Sequence, residues 1–319
     1  MDKTIAAGDF EISLIRAGVY WWDGGAIFGV VPKVLWSRKT ASDELNRVPL
    51  GLNCYLIRTG KHTILVETGA GDKLDERFRD RARLPAVTDR LPEVIASHGF
   101  DPESVDIVVN SHLHWDHCSG NTVFQGDRAV AALPRATYWA ARGEWEHAHQ
   151  RLLRDRVSYI PENYVPLMES GQMNLVEGDH EVVPGVWMRR APGHTRDMMV
   201  ITATSGGSTF CFLSDLDDSL RSLPAPNHRV EDPLADGRIR GSVDLRLWPR
   251  YRDRLRADRA GSENDVQSCE RVIASLARQT ATSETPARIT AAVSPTQIPV
   301  TPHAEGKQRT YASGIPTAQ

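Results

Sequence analysis

The sequence lacks the long apolar run, the paired cysteines and the charge excess that would each indicate a particular class of protein. No stretch approaches the roughly eighteen consecutive apolar residues of a membrane-spanning helix. The first residues show no basic segment followed by an apolar one, so we expect no signal peptide. The four cysteines form no C-x-x-C pair, which favours reduced thiols in a cytoplasmic protein. A net charge of −3 gives no electrostatic reason to expect nucleic acid or a membrane as a partner.

The last third of the chain lacks the residues that usually build a core. Residues 217–319 contain no phenylalanine and no methionine, hold nine of the 19 prolines, and have fourteen arginines to one lysine. Such a composition is typical of chain that buries little apolar surface. We therefore expect an ordered domain over residues 1–216, followed by an atypical, poorly ordered Arg/Pro-rich tail over residues 217–319. A frameshift or a replacement could have produced that tail.

A dense group of histidines follows a short apolar segment near the middle of the chain. Residues 105–109 are mostly β-branched, which predicts a buried strand. The next residues supply three imidazoles and a carboxylate within six positions, namely His112, His114, Asp116 and His117. Neutral imidazole is the favoured ligand of zinc, and a carboxylate suits a second cation beside it. A polar loop that is merely rich in histidine is the alternative, but the H-x-H-x-D-H spacing favours a metal site.

Three more residues stand where other strands are expected to end. His194 follows the Pro192-Gly193 turn, where its side chain can face inward. Asp215 follows an apolar strand, and a buried carboxylate there needs a partner such as a metal. Glu67 ends the second strand of a predicted hairpin and can orient a metal-bound histidine. Cys118 could be a ligand, but we expect a small buried residue beneath the site.

Residues 21–36 mix glycines and aromatic residues without a regular period, which predicts a loop. Exposed aromatic side chains on loops often contact apolar ligands, so a substrate pocket is one interpretation and ordinary core packing is the other. The aromatic residues concerned are Trp21, Trp22, Phe28 and Trp36.

These motifs, in this order and spacing, resemble those of the metallo-β-lactamase-fold hydrolases over roughly residues 8–216. Trp115 and the glycine-rich segment 24–29 are most similar to the branch related to quorum-quenching lactonases. The resemblance implies an α/β protein with an αββα sandwich and two zinc ions (Zn2+) at one edge. It also implies that His112, His114 and His194 hold one zinc, that Asp116 and His117 hold the other, and that Asp215 bridges them.

Three features differ from the family pattern. The family usually has aspartate where Glu67 stands, and it often has a second Pro-Gly-His where this chain has Arg196-Asp197. It also completes the second metal site with a later histidine. The tail offers only His228 and His303, and neither follows a predicted strand. We therefore expect a sandwich that is incomplete at the C-terminus and a second zinc that binds weakly.

Two functions are compatible with these residues. The first is a metal-dependent hydrolase in which metal-bound hydroxide attacks a lactone or other carboxylic ester and Asp116 passes a proton to the leaving group. Thioesters, β-lactams and phosphate esters remain open as substrates. No serine or cysteine stands in a nucleophile motif such as G-x-S-x-G, so we expect no acyl-enzyme. The second function is a catalytically impaired relative that binds metal without turnover. The partner expected is a small-molecule substrate, and the oligomeric state is left open.

Overall fold

The computed structural model describes residues 4–29, 31–38, 40–85, 89–150, 152–153, 155–215 and 288–292. Among these residues, no helix is long and apolar enough to cross a membrane. The strands are β1 (Thr4–Ala7), β2 (Phe10–Asp23), β3 (Arg47–Arg58), β4 (Thr63–Val66), β5 (Ile107–Val109), β6 (Thr122–Gln125), β7 (Arg128–Ala131), β8 (Thr137–Ala141), β9 (Met173–Val176), β10 (His180–Val183), β11 (Val186–Arg190), β12 (Met199–Ser205), β13 (Ser208–Phe212) and β14 (Arg288–Ala292). The α-helices are α1 (Gly24–Phe28), α2 (Lys33–Trp36), α3 (Glu76–Ala82), α4 (Leu91–Ser97), α5 (Trp115–Cys118), α6 (Arg142–Gln150) and α7 (Val165–Glu169).

Two mixed sheets form the framework. The larger sheet has the strand order β1-β2-β3-β4-β5-β8-β9, and the smaller one has the order β10-β11-β12-β13-β14. Strands β6 and β7 form a separate hairpin. The predicted hairpin at residues 52–66 is confirmed, because β3 and β4 pair antiparallel around a short turn. Strand β5 lies parallel to both β4 and β8, so these three strands end at the same edge of the sheet.

The two faces of the larger sheet pack against different layers, because neighbouring residues of a strand point to opposite sides. Ile64 faces the smaller sheet and belongs to the core that contains Phe210. The next residue, Leu65, faces the other way and packs in the core that contains Ile95 of α4 and Leu167 of α7. Helices thus cover one face of the larger sheet and the smaller sheet covers the other. The predicted fold class, an α/β sandwich, is confirmed.

The predicted loop over residues 21–36 is wrong. Strand β2 continues to Asp23, where it still pairs with Arg47 of β3. The Asp23 carboxylate then accepts hydrogen bonds from the backbone N–H groups of Gly25 and Ala26, which begins helix α1. Aromatic residues favour a half-buried strand, and that preference outweighs the glycines that follow.

Nearly all of the predicted tail lies outside the described residues. His228 and His303 are among the residues not described, as is most of the predicted incomplete ending. The exception is β14, which pairs parallel with β13 and which the sequence did not predict. The five residues of β14 show too little alternation of apolar and polar side chains to predict a strand. The pairing with β13 is what identifies it as one.

We expect Phe210→Ala to lower the free energy of unfolding by about 3–5 kcal/mol, because it empties the space between the sheets. Phe210 is completely buried and its ring centroid lies 5.2 Å from that of Tyr55. Urea unfolding measures the loss. The control is Phe124→Ala, which removes the same side chain from a position that is 38% exposed. Equal losses in the two variants would contradict the proposed packing.

Candidate metal centre

The predicted site residues meet at one edge of the sandwich, beyond the ends of several strands. Glu67 directly follows β4, residues 112–117 follow β5, and Asp215 follows β13. Because β4 and β5 are parallel, the chain leaves both of them at the same edge. The backbone N–H of Met199 donates to the Ser111 carbonyl at 2.8 Å, which joins the smaller sheet to the histidine loop.

The structure brings all six predicted ligands together with Glu67. Potential ligand atoms form three groups, and within each group the atoms lie within 4.8 Å of one another. The groups are His112, His114 and His194; Asp116, His117 and Asp215; and Glu67, His112 and His117. One Asp215 oxygen lies 3.3 Å from His117 Nε2 and the other lies 3.4 Å from His194 Nε2. Asp215 therefore lies between the first two groups, where a bridging ligand was expected.

The three histidines of the first group converge at the edge of the sheet. His114 Nδ1 lies 3.0 Å from His194 Nε2, and the buried His112 Nε2 has no hydrogen-bond partner among the residues that the structure describes. Burial, together with the neighbouring imidazoles, holds the pKa values of His112 and His114 well below their usual range. Converging imidazoles, of which His112 and His114 are neutral and His112 has an unpartnered nitrogen, fit a divalent cation such as zinc.

The second group surrounds one imidazole with carboxylates. Burial alone would lower the pKa of His117, but the carboxylates of Asp215, Asp116 and Glu67 outweigh burial and raise that pKa well above its usual range. Burial likewise would raise the pKa of Asp215, yet His117 and then His194 hold it well below its usual range. This concentration of negative charge around a buried nitrogen fits a second cation.

Glu67 lies on the opposite side of the His117 ring from the other carboxylates. Its Oε1 lies 3.5 Å from His117 Nδ1 and accepts a hydrogen bond from the backbone N–H of Ser111 at 3.1 Å. His117 Nε2 faces Asp215 instead. Glu67 has a φ of +62°, a left-handed conformation that costs free energy in a residue other than glycine. This is the placement expected of a residue that orients a ligand.

The predicted pocket residues are Trp21, Trp22, Phe28 and Trp36. Trp22, Phe28 and Trp36 belong to one hydrophobic cluster that also contains Trp115, whereas Trp21 is not part of it. Phe28 and Trp36 are buried and stack on each other with centroids 4.7 Å apart, which agrees with the ordinary-core alternative. Trp21 lies against the Arg83 guanidinium. Of these four residues, only Trp22 makes a ring contact with Trp115, with centroids 5.7 Å apart, and Trp115 is the neighbour of Asp116 in sequence.

Three residues that contact the site were missed by the sequence analysis. Tyr20 donates a hydrogen bond to Asp116, and the Ser111 hydroxyl lies 2.9 Å from His112 Nδ1. The buried Glu144 carboxylate accepts a hydrogen bond from the backbone N–H of Leu113, between two predicted ligands. Only Ser111, adjacent to the histidines, carried a usable signal. Cys118, as expected, is completely buried in the core.

We expect His114→Ala to remove most of the tightly bound transition metal from the purified protein, because it deletes one of three converging nitrogens. Metal analysis by mass spectrometry after growth with ample zinc measures the content. The control is His149→Ala, which deletes a histidine whose ring contacts Trp145 and Tyr164 instead of the predicted ligands. Unchanged metal content in His114→Ala would contradict the assignment of this group.

We expect metal binding at the second group to tighten as pH rises. The raised pKa means that His117 carries a proton near neutral pH in the metal-free protein, and a ligand imidazole must be neutral. Affinity should therefore rise by up to about tenfold per pH unit below that pKa. His112 and His114 already lack protons near neutral pH, so their binding should release none.

Calorimetric titration in buffers of different ionisation enthalpy measures the number of protons released at each ligand group. One equivalent of metal should release more protons than the other, because His117 loses its proton when a cation binds there. Two equivalents with identical proton release would contradict the assigned protonation states.

Comparison with known proteins agrees with this geometry. A family model described as the metallo-beta-lactamase superfamily matches residues 47–217. The chain is 32% identical over 165 residues to an N-acyl homoserine lactonase from Bacillus sp., a match that covers 48% of this chain and 59% of that protein. It is 31% identical over 173 residues to an N-acyl homoserine lactonase from Bacillus cereus, covering 50% and 62%. The chain thus spans about three fifths of the length of these curated relatives.

Solved structures show the same fold. A probable metal-dependent hydrolase from Staphylococcus aureus aligns with a TM-score of 0.61 and 28% identity, covering 67% of this chain and 75% of that one. AidC, a dizinc quorum-quenching lactonase in complex with a product, aligns with a TM-score of 0.57 and 18% identity, covering 92% and 90%. The family match spans more than half of the sequence and includes every predicted ligand. The chain belongs to the metallo-beta-lactamase superfamily.

Proposed function

We propose that this chain is a metal-dependent hydrolase that opens lactones. The observation that carries the proposal is the position of Asp215, whose two oxygens reach the histidines of separate ligand groups at 3.3 and 3.4 Å. A carboxylate placed between two such groups suits a pair of cations. The sequence relatives named as N-acyl homoserine lactonases favour a lactone as the substrate class.

Zinc is the proposed metal, because imidazole nitrogens dominate the first group and carboxylates the second. His112, His114 and His194 would hold one ion, whereas Asp116, His117 and Asp215 would hold the other. Divalent cations at these residues would supply hydroxide at neutral pH, by lowering the pKa of water, and would polarise the ester carbonyl.

The protein's own residues position the reaction and move its proton. Water adds to the lactone carbonyl carbon, the bond from that carbon to the ring oxygen breaks, and the product is a hydroxy acid. Asp116 stands beside His117 and Asp215, where its carboxylate can take the proton of the attacking water and deliver it to the ring oxygen. Glu67 keeps the His117 ring oriented from the other side.

Aromatic side chains next to Asp116 favour a substrate with an apolar substituent. Trp115 precedes Asp116 in sequence, and its ring contacts those of Trp22 and Phe78 at 5.7 and 4.9 Å. Trp115 is buried, but Trp22 and Phe78 are half-buried, and an apolar acyl chain on the lactone would lose water-exposed surface against their exposed parts. We therefore propose acylated lactones, with thioesters, β-lactams and phosphate esters as poorer substrates.

A catalytically impaired metal-binding relative is the second candidate. One observation favours it: the second ligand group contains a single histidine among the residues that the structure describes. A cation held there by fewer nitrogens would bind more weakly. Turnover measured alongside metal content separates the candidates, because an impaired relative would contain metal yet open no lactone.

We expect metal-loaded protein to open N-acyl homoserine lactones faster than it hydrolyses a matched thioester, β-lactam or phosphotriester. Asp116→Asn should lower kcat by about 10²–10⁴-fold, because the amide cannot accept the proton. Its thermal unfolding should stay close to that of the parent. The control, Asp127→Asn, changes an exposed carboxylate in the β6–β7 turn and should leave kcat unchanged.

Product analysis by mass spectrometry follows lactone opening directly. Full turnover by Asp116→Asn would refute the proposed role of that residue. A covalent intermediate trapped on a serine or cysteine would refute direct attack by water.

A further inference from the structure

Tyr20 lies outside the predicted ligand set but contacts it directly. Its hydroxyl donates a hydrogen bond to Asp116 Oδ2 with an oxygen–oxygen distance of 2.6 Å. That length is typical of a charge-assisted bond between a hydroxyl and a carboxylate. The Tyr20 residue is 8% exposed and the Asp116 side chain is 13% exposed, so little water can compete for the bond.

Neighbouring aromatic rings fix the direction of the Tyr20 side chain. The Tyr20 ring meets Trp115 edge to face, with centroids 5.0 Å apart and an interplanar angle of 76°. It also meets Trp22 edge to face at 6.4 Å, and Trp115 itself packs against Phe78 of α3. On the backbone, Tyr20 pairs with Leu50 of β3. The hydroxyl is therefore presented by a rigid strand and a packed aromatic cluster.

Within the part of the chain that the structure describes, few contacts other than the Tyr20 hydrogen bond hold the Asp116 carboxylate. Asp116 lies in α5, a helix of only four residues, and its Oδ2 is 3.6 Å from His117 Nε2, beyond hydrogen-bonding length. Asp215, in contrast, has a histidine within 3.4 Å of each of its oxygens. The hydrogen bond from Tyr20 of β2 is thus a contact that can orient the Asp116 carboxylate.

We propose that Tyr20 is a positioning residue that holds the Asp116 carboxylate in its metal-binding and proton-transferring orientation. A carboxylate oxygen carries two lone pairs, so Oδ2 can accept from Tyr20 and keep one lone pair for a cation. Without the hydroxyl, the carboxylate can rotate, and the second ligand group loses its preorganisation. The metal-binding role rests on the geometry, whereas the role in turnover rests on the proposed function.

Tyr20→Phe tests the proposal, because it removes the hydroxyl and keeps the ring. The full-length metal-free chain is titrated with Co²⁺, followed by its visible absorption and by competition with a chelator. We expect the weaker cobalt equivalent to lose affinity by roughly 10–100-fold, as is typical when an outer partner of a ligand is removed. The tighter equivalent should change by less than about twofold. In lactone opening, kcat should fall and KM should stay within about twofold, since the aromatic surface is intact.

The matched control is Tyr138→Phe. This variant also deletes a buried hydroxyl. Tyr138 lies on β8, and its hydroxyl accepts a hydrogen bond from the backbone N–H of Leu133 at 3.0 Å. Any general loss of stability should appear in both variants, but the loss of cobalt affinity should appear only in Tyr20→Phe.

Wild-type affinity for both cobalt equivalents in Tyr20→Phe would overturn the proposal, as would an equal loss in Tyr138→Phe. A parent chain that binds a single cobalt ion would overturn it as well. A parent that binds two cobalt ions but opens no lactone would refute the proposed function alone, and the titration would still decide the role of Tyr20.

Discussion

Four histidines and three carboxylates share one edge of the sandwich, and because several of them are buried that edge is stable only if their charges balance. An isolated buried charge costs several kcal/mol, so each ionised group here needs a partner. The protein meets this requirement by keeping His112 and His114 neutral and by surrounding His117 with carboxylates. In the metal-free chain a proton on His117 supplies the positive charge that a cation would otherwise bring. A proton on His117 and a metal cation beside it are therefore alternative ways to balance the same carboxylates.

The fold supplies the means to hold these groups together. Glu67 and Ser214 both adopt left-handed backbone conformations, with φ values of +62° and +52°, and each lies just beyond a strand that leads into the site. Such conformations cost about 1–3 kcal/mol each and persist only where the surrounding structure fixes them. Ser214 also bonds through its hydroxyl to that of Ser111 at 2.7 Å, beside His112. The packing of the two sheets thus maintains a strained pair of chain turns, and these turns aim the ligands inward.

Sequence could predict those site residues whose role is visible from their immediate neighbours in the chain. The H-x-H-x-D-H spacing places four candidate ligands within six residues, and Asp215 is conspicuous as a carboxylate at the end of an apolar strand. Tyr20 could not be recognised in this way, because its partner lies 96 positions away and a tyrosine between apolar residues fits ordinary core packing equally well. Glu144 lies in a charged helix, so its burial depends on which face the helix turns inward.

The same limit explains the errors in secondary structure. Glycines at 24 and 25 suggested that the aromatic segment was a loop, whereas pairing with β3 extends the strand to Asp23. Strand β14 has no pattern of its own, and its partner β13 defines it. In both places pairing with a neighbouring strand, which the local sequence does not reveal, determines the extent of the strand.

The concentration of ligands in one short segment has a thermodynamic consequence for the whole chain. The side chains of residues 112–117 stay close together even when the protein is unfolded, so the unfolded chain retains a chelating segment. A bound ion stabilises the native state only by the difference between its affinities for the folded and unfolded chains. His194 and Asp215 join the other ligands only when the chain folds, since they lie far from the cluster in sequence. The stability gained from metal therefore depends on these two residues, and much of the affinity contributed by the histidine cluster cancels between the two states.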